Sequence, residues 1–599
     1  MLDELERTGA ESVSQLPHIK GTLLKPPPPA SSPPTRTPAP PQSQSLQQQR
    51  APGSAPPSVS LPMQMSSGLP ALPPSASPAQ RWEAVSMRIN TAIKLQMSNA
   101  ESYTEMPRVI ALYREALAIS PDLAAKDPGT AGSVHDNLGV ALRAIDRVDE
   151  AIEEHRRATE VNPREPRHFM NLAGTLYTHG DFEEAARAAR AALDLNPMHA
   201  KALNILNSVQ PIQEASDERL PLLLKHAAAV DQLSIEDRTL SHFDLYRAFN
   251  KLKRTDEAWE HLERGNELAL EDMKTKARGT QEMQVFNIEA FAFSTRMIKT
   301  TFTRAVVDEL RAAADALFLQ GGLSHLAPFT RDPSGAPIFI IGAYRSGSTL
   351  VEQILSSHSQ VHGAGENTAM SPTIFAASTR SKADYPTGFI AAGRRDPTWF
   401  EQIGAEYVQT MRASAQVAKS GKARWVDKNL GNLRSAAVVA LALPNAKFIH
   451  TVRSPVATCF SMYTQHFTQG GPAGRWFTCS QETLREHYKA LHELARHWDE
   501  VLPAHQLLTV RYEDVVNNQE EMTRRIIDFV GLEWEDQCLQ FHKTERAVAT
   551  ASLSQVRQPM YNSSLDSWRK YEHRLATLTE GLAGLHEVEW ASSKWPRER

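Results

Sequence analysis

The chain has 599 residues, with 65 Lys and Arg against 69 Asp and Glu and a formal net charge of -4. That length exceeds what one hydrophobic core organises, so two or three domains are expected. The near-neutral balance excludes a global footprint for nucleic acid or anionic membrane and leaves any anion binding to local clusters. Three cysteines, Cys459, Cys479 and Cys538, lie far apart without C-x-x-C spacing; this argues against a disulfide framework or a zinc site and fits a reducing, cytoplasmic compartment.

The first residues, Met1 to Glu6, are acidic and lead into no apolar run, so no secretory signal is expected. No stretch approaches the roughly 20 apolar residues of a membrane-spanning helix. The best candidate, Ala436 to Leu443, is short, is followed by Pro444 and reads as a buried helix. From about Pro26 to Gln80 the composition is Pro, Ser, Gln and Ala. Such a segment cannot bury enough apolar surface to offset chain ordering, so residues 1–82 are expected to be a disordered tail.

Beyond the tail, Ala, Leu, Glu and Arg dominate and an internal repeat begins. Asn137-Leu138-Gly139, Ala151, Ala158 and Asn162-Pro163 recur as Asn171-Leu172-Ala173, Ala185, Ala192 and Asn196-Pro197, every offset being 34. An upstream copy ends at Ser120-Pro121, and a loop around Asp127-Pro128-Gly129 is expected to interrupt the register. A degenerate copy lies near Phe243 to Ala269, where Asp256-Glu257-Ala258 echoes Asp149-Glu150-Ala151. These residues resemble the tetratricopeptide family, in which small residues let paired helices cross closely and proline closes each pair. The resemblance implies an all-α array over residues 83–275 with a concave surface for a peptide or protein partner. Packing against the C-terminal domain or against a second copy of the chain is the other reading. A helical connector is expected over 276–330.

From Pro337 onward, apolar runs alternate with helical stretches. Ile338 to Ile341, Ala423 to Val426, Ala446 to Val452 and Gln506 to Tyr512 read as strands, which predicts an α/β domain with a parallel sheet over 331–575, followed by a tail over 576–599. In such sheets the site lies beyond the carboxyl ends of the strands. After the first strand comes Gly342-Ala343-Tyr344-Arg345-Ser346-Gly347-Ser348-Thr349, a glycine-spaced loop opening a helix. Its backbone N–H groups can wrap a phosphate, with Arg345, Ser348 and Thr349 as further donors. A nucleotide triphosphatase or kinase would carry lysine at position 348 and a carboxylate for Mg²⁺. After the third of these strands Arg453 is followed eight residues later by Ser461, a pair that can converge on a second phosphate.

Together these elements resemble the sulfotransferase family, whose donor is 3'-phosphoadenosine 5'-phosphosulfate and which needs no metal. Arg345, Ser346, Gly347, Ser348 and Thr349 match the segment that holds the donor's 5' end; Arg453 and Ser461 match the pair on its 3'-phosphate. The stretch His358 to Glu366 resembles tyrosylprotein sulfotransferases and bacterial tetratricopeptide-sulfotransferase proteins, whose catalytic glutamate lies 21 residues after the loop arginine, the separation of Arg345 and Glu366 here. The resemblance implies Glu366 as general base for an attacking hydroxyl, with Lys428 and Arg345 stabilising the charge that develops during in-line transfer. It further implies Tyr512 near the adenosine and Ser552 in a late donor-binding loop. The family lysine of that loop is Gln558 here, with Arg557 beside it as a replacement. Trp568 and Tyr571 read as packing residues.

The implied acceptor is a hydroxyl, with protein tyrosine, carbohydrate, lipid and small phenol all open, because Asn367-Thr368 stands where the tyrosylprotein enzymes have Thr-Arg. Tyr385, Trp399, Phe467 and Trp476 are candidates for the pocket wall. His358 and His362 have the spacing of metal ligands on a helix but no third ligand, and read as packing residues. Asp427 beside Lys428 admits a plain surface ion pair. The alternative function is a tetratricopeptide scaffold whose C-terminal domain binds nucleotide without turning over.

Overall fold

The computed structural model describes residues 68–73, 75–98, 105–145, 147–277, 288–467, 476–544, 546, 550, 552–585 and 589–593. Most of the tail expected over 1–82, and the end of the tail expected over 576–599, lie outside the described residues. The chain divides into two compact units, Met1–Thr175 and Leu176–Arg599.

The first unit is helical, with helices at Pro78–Ser98, Met106–Ile119, Pro128–Ala144 and Val148–Val161. The segment around Asp127, expected as a loop, is instead a short Leu123–Lys126 helix followed directly by the next helix. Asp127 caps that helix by accepting from Thr130 N at 3.0 Å, and Pro128 occupies its first turn, where a missing N–H is harmless. The repeat's small residues have a packing cause. A Cβ on Gly139 would lie 2.7 Å from the His155 ring, and Ala151 and Ala158 are fully buried.

The second unit starts with further helices, including Phe182–Leu195, Ile235–Lys251 and Thr255–Ala277. The last two share a core with the C-terminal region: Trp259 lies against Tyr463 and Tyr571, and Tyr246 against Tyr571. Asn266 Nδ2 also donates to the Tyr463 carbonyl at 3.1 Å. Helices Ile288–Thr301 and Arg304–Leu319 follow, and bury Ile298, Phe302, Val307 and Leu310 against Phe389, Trp399 and Trp498.

The five-stranded sheet comprises β1 (Ile338–Gly342), β2 (Val361–Gly363), β3 (Arg424–Asp427), β4 (Lys447–Val452) and β5 (Leu507–Arg511), in the order β2-β3-β1-β4-β5. Every neighbouring pair is parallel; Ile338 faces Val426 on β3 and Lys447 on β4. Helices cover both faces, so β1 is buried along its whole length and reads as a continuous apolar run rather than an alternating one. The three-residue β2 was not predicted, since Val361-His362-Gly363 is too short to show a period. Tyr512, expected at the end of a strand, instead opens the Tyr512–Asn517 helix. The run from Ala436 forms a fully buried helix, Ala436–Ala442. Among the described residues no helix is long and apolar enough to cross a membrane.

Candidate active site

All five strands deliver a residue to one end of the sheet. β1 leads into the loop Ala343 to Gly347, where Arg345 (φ 67°) and Gly347 (φ 96°) take left-handed backbone. Gly347 is required twice over, because a Cβ there would lie 2.6 Å from Cδ2 of the Tyr512 ring. Gly347→Ala is therefore expected to cost about 1–3 kcal/mol through backbone strain and displaced packing. Denaturant titration should show that loss, and an unchanged midpoint would refute it.

Arg345 draws three segments together. Its Nε donates to Ser461 Oγ at 3.0 Å, Nη1 to Ser552 Oγ, and Nη2 to Gln555 Oε1 at 3.2 Å. Arg453, after β4, donates from Nη2 to the Ser564 carbonyl at 2.7 Å and lies over the Tyr512 ring, 4.9 Å from its centroid. Tyr512 is itself fixed by a 2.8 Å hydrogen bond with Ser564. Burial, and then the neighbouring Arg453 charge, push Arg345 down to about 10, and burial lowers Arg453 as well. Among the described residues no carboxylate pairs with either guanidinium. Two cations held side by side with no ion-paired carboxylate, and only the Glu513 carboxylate charge acting on Arg453, are arranged for an anion.

Glu366, past β2, and Lys428, past β3, meet at 2.7 Å. The lysine is buried and the glutamate is 41% exposed in its side chain, so the pair presents its carboxylate outward. Beneath it sits Glu352, wholly buried in the helix Ser348–Ser356, 4.0 Å from Lys428 Nζ and 3.0 Å from Arg546 Nη2. Its Oε1 accepts from Gly365 N at 2.8 Å, tethering the backbone beside Glu366. Burial opposes the Glu352 charge, but Arg546 and Lys428 outweigh it and hold its carboxyl below the usual range. Glu352 and Arg546 were missed in the sequence. The available signal was a carboxylate inside the otherwise apolar run Leu350-Val351-Glu352-Gln353-Ile354-Leu355.

Asp427 does not pair with Lys428. It turns inward, accepting from Tyr407 Oη at 2.9 Å, Asn432 Nδ2 at 3.1 Å and Asn429 N at 3.1 Å. Burial pushes its carboxyl up to about 7 despite these three donors. A folded pKa above the unfolded value of about 3.9 stabilises the fold fully below that pH and loses its contribution as pH rises to about 7. Asp427→Asn should flatten this part of the stability profile and raise the denaturation midpoint at pH 8 relative to the parent. A variant with the parental pH slope would sink the assignment.

A cavity open to solvent is lined by Arg345, Gly347, Ser348, Thr349, Glu366, Arg453, Tyr512 and Ser552, together with Tyr344, Leu430, Phe467, Gln555 and Tyr561. Four expected site residues do not line it. The Ser346 hydroxyl points into the sheet, bonded to Ala343 O and to Thr451 Oγ1, each at 2.7 Å. Ser461 stands behind Arg345 and is bonded to that guanidinium rather than to Arg453. Lys428 is covered by Glu366. Arg557 turns away and donates to the carbonyls of Thr544, Arg546 and His179. Of the candidate wall aromatics only Phe467 is in place. Tyr385 bonds the Arg434 carbonyl, Trp399 donates to Ser381 at 2.7 Å, and Trp476 is buried in the helical core. His358 makes a 2.8 Å bond with the Glu533 carbonyl, and His362 is lowered to about 4, by burial first and then by Arg546.

Residues 337–536 match the family model described as the sulfotransferase family. An uncharacterized protein of Aquifex aeolicus (strain VF5) is 31% identical over 449 residues, 72% of this chain and 52% of its own length. Protein-tyrosine sulfotransferase 2 of Gallus gallus is 28% identical over 246 residues, 39% of this chain and 62% of its own. The chain thus spans between half and two thirds of the length of these relatives. The solved sulfotransferase domain from the Synechococcus PCC 7002 olefin synthase aligns at 20% identity over 39% of this chain and 87% of that one, with a TM-score of 0.28. Residues 337–536 are a domain of the sulfotransferase family.

Proposed function

We propose that the protein transfers a sulfuryl group from 3'-phosphoadenosine 5'-phosphosulfate to an acceptor hydroxyl. The observation that carries this reading is the pair of guanidinium groups without an ion-paired carboxylate among the described residues, Arg345 and Arg453, in a cavity that is also lined by Glu366, which covers the buried Lys428. The fit to a donor phosphorylated at both ends is supported by the buried Nε of Arg453, which has no hydrogen-bond partner among the described residues. Arg345, with the loop N–H groups, Ser348 and Thr349, would hold the 5' end. Arg453 would hold the 3'-phosphate and Tyr512 the adenosine.

The donor supplies an activated sulfuryl group, and the chain's residues do the rest. Glu366 Oε takes the proton of the attacking hydroxyl as its oxygen bonds to sulfur. The bond from sulfur to the bridging oxygen breaks, and the electron pair passes to the departing 5'-phosphate, whose charge Arg345, and Lys428 from behind Glu366, would stabilise. No γ-phosphate is involved, which agrees with serine rather than lysine at position 348. Protein tyrosine is the acceptor favoured by the names of the Gallus gallus relative and its counterparts in Danio rerio and Drosophila melanogaster. The helices over 83–275 are read as tetratricopeptide pairs, on the 34-residue period, and would present a surface to a protein partner.

The test is incubation with donor labelled in its sulfuryl group and a lysate of the source organism, without added metal, followed by identification of the labelled product. Label on a protein tyrosine supports the full reading. Label on a carbohydrate or lipid keeps the transfer and replaces the acceptor, and absence of label in any product overturns the proposal.

A further inference from the structure

We infer that the helical hairpin turn at residues 177–182 is a working part of the donor site: it positions the loop that carries Ser552 and Gln555, and Arg557 is the residue that fastens the two together. This rests on the donor reading above.

The short helix Leu553–Val556 has two faces with different roles. On one, Ser552 and Gln555 bond the Arg345 guanidinium and line the cavity. On the other, Leu553 and Val556 are 1% and 3% exposed and pack on Tyr177 and Phe182, which flank the turn between two helices of the N-terminal half of the sequence, and Val556 also reaches the cavity lining. So short a helix is not stable alone. Its place is set by what it leans on, and one side of that support comes from a segment almost 380 residues earlier in the chain.

Arg557 closes the joint. Its guanidinium spans the carbonyls of His179 on the turn and of Thr544 and Arg546 on the segment leading to the pocket loop. The turn is shaped to receive it, because Gly180 has φ 110° and a Cβ there would stand 3.0 Å from Arg557 Nη2. A planar fork that reaches several fixed acceptors at once is a geometry arginine offers and lysine does not. Arg546, whose carbonyl is one of the acceptors in this joint, also pairs through its side chain with Glu352 beneath Lys428. The same fastening therefore touches the support of both halves of the site. Arg557, expected to bind donor, is on this account a positioning residue that acts through the loop.

The experiment measures binding of adenosine 3',5'-bisphosphate by calorimetry, on the full chain, for the parent, Arg557→Ala, Arg557→Lys and Phe182→Ala. Arg557→Ala and Phe182→Ala should each weaken binding on the order of 10- to 100-fold, the scale set by displaced supporting residues. Arg557→Lys should recover only part of the loss. With a labelled acceptor in hand, the KM for donor should rise while kcat at saturating donor stays near the parent's. Parental affinity in both Arg557→Ala and Phe182→Ala overturns the inference and leaves the donor reading standing. A parent that binds no bisphosphate overturns the donor reading itself. Equal falls in kcat and in affinity for both substrates also overturn the inference, because they mark general damage.

Discussion

Glu366→Ala should abolish sulfuryl transfer, by about 10²- to 10⁴-fold or more, the range spanned by a positioned general base, while adenosine 3',5'-bisphosphate binds nearly as in the parent. The two effects separate because, on the proposed reading, Glu366 serves the acceptor hydroxyl whereas Arg345 and Arg453 hold the donor's phosphates, although all three line the same cavity. Glu366 is the more exposed member of its pair with Lys428, so its truncation leaves water access rather than a buried void. Single-turnover transfer and calorimetry on the same preparation check both halves. Transfer at the parental rate would remove Glu366 from the mechanism. Loss of bisphosphate binding would instead place it in the donor site.

Lys428→Ala should lose activity and also stability, by about 3–5 kcal/mol, the scale for removing one partner of a buried ion pair. The cause is not the Glu366 contact, which faces solvent, but Glu352 underneath. With Lys428 gone, that wholly buried carboxylate keeps, among the described residues, only Arg546 as a counter-charge. The double variant Lys428→Ala/Glu352→Gln should therefore be less destabilised than Lys428→Ala alone, although equally inactive. Denaturant midpoints of the two single variants and the double give the coupling. If the double variant is no more stable than Lys428→Ala, Glu352 and Lys428 are not coupled. The same result would leave the Glu352 carboxylate without the role the geometry gives it.

Much of this site was legible because its chemistry is carried by local pattern. The β1 strand, the loop glycines and the following helix form one continuous segment whose hydrophobicity, turn residues and hydroxyls each have a short-range cause. Four of the five strands were read within a residue or two of their bounds for the same reason. The spacing from Arg345 to Glu366 and the order Arg453, Ser461 placed the right segments at the carboxyl end of the sheet. What was misread is what depends on side-chain direction. Ser346 lies inside the motif yet turns its hydroxyl to Thr451, and Ser461 serves Arg345 rather than Arg453. Tyr385, Trp399 and Trp476 have the composition of a pocket wall but fill cores, since an aromatic ring looks the same in sequence whether it faces a ligand or a helix.

The sequence by itself determined a parallel α/β domain with a glycine-spaced loop after its first strand, helices before that domain, and the placement of Arg345, Lys428 and Arg453 after strands, whereas Glu366 was singled out only by resemblance. All but the last follow from period, turn chemistry and strand order, which act over a few residues at a time. Tertiary structure alone decided that Glu352 and Arg546 lie under Lys428, that Asp427 turns inward, and that Arg557 fastens the pocket loop to the turn at His179 and Gly180. Those contacts join residues from 20 to almost 380 positions apart. Burial of charge at such distances is settled only when the whole core closes, because only then is it known which partners are left to satisfy it.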